Sequence, residues 1–136
     1  MTDFRTVTEA FAVSGQITPA GVRAAAARGF ALIINNRPDG EAPDQPTSAS
    51  IEVAARAAGL SYLHIPVVGR ATLAQVAAMD GAVEAGGGKT LAFCRSGTRS
   101  ITTWAQGQAQ AGRRSRAALI SLGAGAGYDL SAALPY

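Results

Sequence analysis

The reactive chemistry in this chain of 136 residues gathers at one cysteine. Cys94 opens the run Cys94-Arg95-Ser96-Gly97-Thr98-Arg99-Ser100, directly after the apolar stretch Lys89-Thr90-Leu91-Ala92-Phe93. A thiolate is the nucleophilic form of cysteine, and three features here favour it. Arg95 and Arg99 bring guanidinium charge close by. The helix that follows offers its positive end and unpaired amides. Gly97 lets the backbone turn so that successive N–H groups face one centre. The same features suit a tetrahedral oxyanion. Arg95, Ser96, Gly97 and Thr98 would line the cradle, and Arg99 would grip two oxygens in a fork that lysine cannot make. Ser100 is placed to hydrogen-bond the sulfur and help it leave a covalent intermediate. A buried, inert cysteine is the ordinary fate of a lone one. The strand–Cys-x-x-Gly-x-Arg-Ser–helix context argues for function instead.

Positioning that loop requires strands and helices in alternation. Val7 to Val13 is weakly strand-like and interrupted. Thr18 with Pro19 opens a helix to Arg28, and Gly29 ends it. Ala31 to Ile34 reads as a buried strand and runs into a turn-rich stretch over 35–46. Thr47 with Ser50 opens a second helix to Ala58, stopped by Gly59. Tyr62 to Ile65 is the next strand, ended by Pro66. Thr72 caps a helix carrying Leu73, Val76, Met79 and Val83 at helical spacing, and Gly86-Gly87-Gly88 breaks it. Residues 89–93 form the last strand. Ser100 to Gln110 is helical, with short closing helices expected at Arg114 to Leu122 and Ser131 to Leu134. This order predicts an α/β fold: a mainly parallel central sheet of about four to five strands with helices on both faces. Ligand sites in such sheets lie at the carboxyl ends of the strands, where Cys94 falls.

The length suits a single domain over residues 1–136. One cysteine allows no internal disulfide and suggests a reducing compartment, so a cytoplasmic location is expected. The N-terminus lacks the apolar stretch of a signal peptide, and no uncharged run approaches the ~20 residues of a membrane span. No membrane association is therefore expected. The formal charge is +3, and Lys89 is the one lysine among twelve basic residues. That balance gives a mild preference for anionic ligands, and it lacks the aromatic interleaving or basic stripe of a nucleic-acid binder. With His64 as the only histidine, no metal cluster built on histidines is available. His64 alternates with apolar residues and reads as a packed or edge side chain. Trp104 reads as core. Arg113, Arg114 and Arg116 read as a solvated basic face, with an acidic partner as the other choice. Tyr128 reads as packing for the C-terminal helices, near the site mouth. Arg37 stands at the ligand edge of the sheet, either to bind substrate phosphate or to pair with Asp39 or Glu41.

The Cys-x-x-Gly-x-Arg-Ser segment resembles the active-site loop of cysteine-dependent tyrosine and dual-specificity phosphatases and of rhodaneses. A narrower resemblance runs through Ser14-Gly15-Gln16-Ile17, residues 34–41 (Ile-Asn-Asn-Arg-Pro-Asp-Gly-Glu), residues 62–67 (Tyr-Leu-His-Ile-Pro-Val) and Ala126-Gly127-Tyr128-Asp129. These look like the beta-lactamase-hydrolase-like phosphatase family, a bacterial group found alone or fused to a metallo-β-lactamase-like domain. The resemblance implies a dual-specificity-phosphatase-like fold and a cysteinyl-phosphate reaction without metal or organic cofactor. Cys94 would attack phosphorus, and Arg99 and the loop amides would hold the phosphoryl oxygens. The substrate would be a small phosphorylated molecule or a phosphoprotein; the oligomeric state is left open.

Three departures from that pattern keep alternatives in play. Four residues separate Cys94 from Arg99, where tyrosine phosphatases have five. This shorter spacing is closer to rhodaneses, whose cysteine carries a persulfide. Phe93 stands where phosphatases usually have histidine. No carboxylate follows Pro66, where dual-specificity phosphatases place the aspartate that protonates the leaving group, a contribution of ~10²–10⁴-fold. Asp39 and Glu41 are the candidate general acids on the same sheet edge; ordinary turn chemistry in Pro38-Asp39-Gly40 is their other explanation. The alternatives to a phosphatase are a rhodanese-like sulfurtransferase on the same cysteine and a non-catalytic oxyanion-binding module.

Overall fold

The computed structural model describes residues 3–134, so of the N-terminal residues read for a leader, Met1 and Thr2 lie outside it. The elements run β1 (Arg5–Thr8), β2 (Phe11–Ser14), α1 (Pro19–Ala27), β3 (Phe30–Asn35), α2 (Ser48–Ala57), β4 (Ser61–His64), α3 (Leu73–Ala85), β5 (Lys89–Phe93), α4 (Thr98–Gln110) and α5 (Arg116–Gly125). The strands form one five-stranded sheet in the order β1-β2-β5-β3-β4. Only β1 runs antiparallel to its neighbour.

Local chemistry explains most helix starts. Thr18, Thr47 and Thr72 each sit in extended backbone and accept a hydrogen bond from the N–H three residues on. Thr72 and Gln75 complete a reciprocal capping box, with bonds of 3.1 and 3.0 Å. The period-two alternation of the strands then splits the core between two faces. Ile33, Leu91 and Phe93 pack beneath α1 and α2 with Val22, Ile51 and Ala55. Leu32, Ile34 and Ala92 pack on the other face with Met79, Ile101, Trp104 and Leu119. Trp104 stacks on Phe11 at 4.8 Å between ring centres, which joins α4 to β2.

The structure corrects three boundaries. The interrupted stretch 7–13 is a hairpin of two strands, whose register slips between Thr6 and Thr8. The closing helix begins at Arg116, because Ser115 takes the cap by accepting from the Ala118 N–H at 3.1 Å. Ser131 to Leu134 is a turn and not a helix: Asp129 Oδ1 accepts from both the Ser131 N–H (3.0 Å) and its hydroxyl (2.6 Å). An aspartate bonding the backbone two residues on makes such a turn.

Candidate active site

β5 is flanked by β2 and β3, and its last residue, Phe93, hands the chain to Cys94 at the carboxyl edge of the sheet. Gly97 then turns with φ +92°, a left-handed conformation that suits glycine, and α4 begins at Thr98. The Gly97 N–H donates to Cys94 Sγ at 3.1 Å. The thiol is buried, at 1% exposure. The loop is also tied from outside. Cys94 N–H donates to Ser14 O and Gln16 N–H to Arg95 O, both at 3.4 Å. A Cβ on Gly15 would stand 3.0 Å from the Arg95 carbonyl, so any side chain here would press against the loop. Ser96 Oγ lies 3.1 Å from Thr98 Oγ1, and Tyr128 donates its hydroxyl to Ser96 O at 2.8 Å. Arg95, Ser96 and Thr98 are exposed, whereas Ser100 is buried. The Ser100 hydroxyl has no hydrogen-bond partner among the described residues.

Arg99 is gripped from one side. Its Nη1 and Nη2 donate to the two oxygens of Glu41 at 2.8 and 2.9 Å, and Nη1 also donates to Val67 O at 2.9 Å. Glu41 receives a third bond from Arg37 Nε at 2.9 Å. Arg37 is buried, and its Nη1 donates to Gln16 Oε1 at 3.1 Å. The bonds from Arg99 and then Arg37 hold the Glu41 carboxyl down at about 2, against 4.5 ordinarily; partial burial opposes them. The Arg99 guanidinium is correspondingly held above its usual value, first by its bonds to Glu41. Glu41 is therefore fully ionised near neutral pH, the wrong state for a proton donor.

Asp39, the other candidate acid, points elsewhere. Its Oδ1 accepts from the Ser48 N–H at 2.8 Å, in the first turn of α2. The segment after β4, Val67-Val68-Gly69-Arg70, presents an exposed Val68 and Arg70 and no carboxylate. His64 Nε2 bonds to Arg37 O at 2.8 Å, which makes it a brace for the Arg37 segment. Arg113, Arg114 and Arg116 are occupied as well: Arg113 by Asp80, Arg114 by Gln108, Arg116 by the carbonyls of Ser131 and Leu134. Among the described residues no group of three or more His, Cys, Asp or Glu side chains is arranged to hold a metal, and no helix is long and apolar enough to cross a membrane. The larger hollow, 530 Å³ between α3, α4 and residues 132–134, lies away from Cys94. A smaller one, 250 Å³, abuts Arg99 and the 67–71 segment.

The loop is legible as one continuous run of residues, with Tyr128 near its mouth and Arg37 beside Glu41, but the bonds that support it are not. Gln16, the Val67 carbonyl and the Tyr128–Ser96 bond carry no spacing signal, and the pairing of Glu41 with Arg99 joins residues 58 apart.

Solved structures of the tyrosine and dual-specificity phosphatase type share this fold. PTPMT1 in complex with PI(5)P aligns with TM-score 0.71 at 18% identity, over 88% of this chain and 80% of its own. A protein of Neisseria meningitidis Z2491, provisionally described as a phosphatase, aligns with TM-score 0.82 at 29% identity, over 93% of this chain and 90% of its own. The family model for the phosphatase-like domain of beta-lactamase hydrolase-like proteins matches residues 3–111, and the chain belongs to that family. A beta-lactamase hydrolase-like protein of Xylella fastidiosa Temecula1 is 38% identical over 96% of this chain. The chain spans only 30% of that relative's length.

Proposed function

We propose that this chain is a cysteine-dependent phosphatase that hydrolyses a phosphomonoester through a cysteinyl phosphate. The observation that carries the reading is the Gly97 N–H on Cys94 Sγ beside an arginine whose free edge is left for an anion. The Cys94 thiolate attacks phosphorus, and the bond from phosphorus to the leaving oxygen breaks. Water then attacks phosphorus, the S–P bond breaks, and the thiolate is restored as inorganic phosphate leaves. The amides of residues 95–98 and the Nε edge of Arg99 hold the phosphoryl oxygens. Ser100, buried and unpartnered, donates to the sulfur as it departs.

Glu41 serves this site as an anchor for Arg99. With Glu41 on Arg99 and Asp39 on the α2 terminus, neither candidate carboxylate is left to protonate the leaving oxygen, which takes its proton from solvent. Aryl phosphates, whose leaving groups need least help, are the favoured substrates, on a small molecule or on a phosphoprotein. The enzyme acts without metal or organic cofactor.

Two observations favour a second reading, sulfur transfer. The short Cys94–Arg99 loop and the lack of a free acid both suit a persulfide, because a thiolate or sulfite leaving group needs no proton. With thiosulfate, Cys94 would take the outer sulfur as the S–S bond breaks and sulfite leaves; cyanide would then remove it as thiocyanate. The test is a paired assay of the parent and Cys94→Ser on an aryl phosphate and on thiosulfate with cyanide. The expected result is phosphate release that falls at least ~10³-fold in the variant. Sulfur transfer without phosphate release, together with a parent mass raised by one sulfur atom, would replace the phosphatase by the second reading. Activity independent of Cys94, or absent from the parent, would leave an anion-binding module.

A further inference from the structure

We propose that Tyr128 is a positioning residue that sets the orientation of the Ser96–Gly97 peptide and so keeps the Gly97 N–H aimed at Cys94 Sγ; this rests on the reading of Cys94 as the nucleophile. A trans peptide points its C=O and N–H in opposite directions. Here the two ends of one peptide are both engaged: Ser96 O accepts from the Tyr128 hydroxyl at 2.8 Å, and Gly97 N–H donates to Sγ at 3.1 Å. Holding the carbonyl outward holds the N–H inward.

Such a lock is needed because of the residue that makes the turn. Gly97 sits at φ +92°, but glycine populates negative φ about as readily. Rotation of this peptide would turn the Ser96 carbonyl toward the sulfur, where its dipole repels a thiolate and any bound oxyanion. Backbone sterics alone do not forbid that state. Tyr128 does, and it packs so closely that a Cβ on Gly97 would overlap its hydroxyl.

The tyrosine is itself fixed. Its N–H donates to Gly123 O at 2.8 Å, after Gly127 turns with φ +94°. The Arg5 guanidinium lies 5.6 Å from the ring centre and donates to Ala126 O at 3.2 Å. Burial raises the phenol above its ordinary value, so the group remains a donor at neutral pH. Arg99, with Glu41 behind it, and Tyr128 are coupled to Cys94, and the exposed Arg95 follows it in the chain; Arg5 and Asp3 face Tyr128 in turn. None of these but Tyr128 touches the Ser96 carbonyl.

Tyr128→Phe removes the one hydroxyl and keeps the ring. Cys94 is the only thiol, so its ultraviolet thiolate absorbance against pH, with Cys94→Ser as the blank, reports this sulfur alone. The expected result is a titration midpoint raised by about one pH unit in Tyr128→Phe at unchanged melting temperature, since losing a hydrogen bond to a charged group weighs that much. Arg5→Gln loosens the same ring without touching the hydroxyl and should move the midpoint by less than about 0.3 unit. Equal midpoints in parent and Tyr128→Phe would overturn the proposal, as would an equal shift in Arg5→Gln. The readout does not depend on whether phosphate or sulfur is transferred, so the reaction assigned above can fail while this inference stands. A parent whose thiol does not ionise below the phenol range would overturn both.

Discussion

Arg99 and Arg113 each meet a carboxylate through two short bonds, and the edge of the guanidinium they use differs. Arg113 engages Asp80 with Nε and Nη2, at 3.2 and 2.9 Å, and lies within 3.7 Å of Glu84. This fastens the segment after α4 to α3 and commits that edge of the guanidinium. Arg99 engages Glu41 with Nη1 and Nη2, and its Nε makes no hydrogen bond among the described residues. The Arg99 side chain is 20% exposed and that of Arg113 38%. The same ion-pair chemistry thus serves as a fastening in one place and as a mount in the other. What separates them is which N–H groups remain to spend on an anion, and how little water competes for them.

The comparison is tested hardest at Arg99 itself. Arg99→Lys keeps the charge but loses the fork, and kcat/KM on an aryl phosphate should fall about 10²-fold, as measured by steady-state kinetics. A smaller loss would mean that charge alone suffices at this position. Glu41→Gln should come next, with kcat/KM down about tenfold and stability by denaturant unfolding down about 2 kcal/mol, because Arg37 then stays buried without its counter-ion. The same pair predicts an acid limb. Glu41 is held at about 2 when folded, below its ordinary 4.5, so its contribution to stability is complete above pH 4.5 and is lost as pH falls toward 2. Unfolding curves across that window should slope less in Glu41→Gln than in the parent. Arg113→Ala should matter least: stability should change little for an ion pair screened by solvent on the arginine side, and turnover should be unchanged in the same assays. A turnover loss there approaching that of Arg99→Lys would erase the distinction.

Most of what the sequence displayed was short-range. Thr18, Thr47 and Thr72 announce their helices because a cap and its partner are three residues apart. The loop from Cys94 to Ser100 is legible for the same reason. The hairpin at Thr8-Glu9-Ala10 was hidden, since it turns without glycine, proline or asparagine and uses the Thr8 hydroxyl on the Ala10 N–H instead. The closing stretch 131–134 forms a turn in which Asp129 Oδ1 holds both the Ser131 N–H and its hydroxyl. At the site, the gap lay in everything that reaches the loop from afar. Glu41 lies in a turn-rich stretch that fits ordinary loop chemistry as well as a clamp, the Val67 contact is a carbonyl with no side-chain signature, and Arg37 reads equally as ligand or strut until its partners are seen.

The position of β5 in the sheet has a mechanical consequence. It is the middle strand of five, bonded along both edges, so Cys94 hangs from the part of the sheet that moves only when the whole sheet comes apart. Arg99 leans on Val67, which follows β4, an outermost strand bonded on one side only. Arg99 therefore ties the helix that follows the middle strand to the segment that follows an outermost one, so the two parts of the sheet meet at a single side chain.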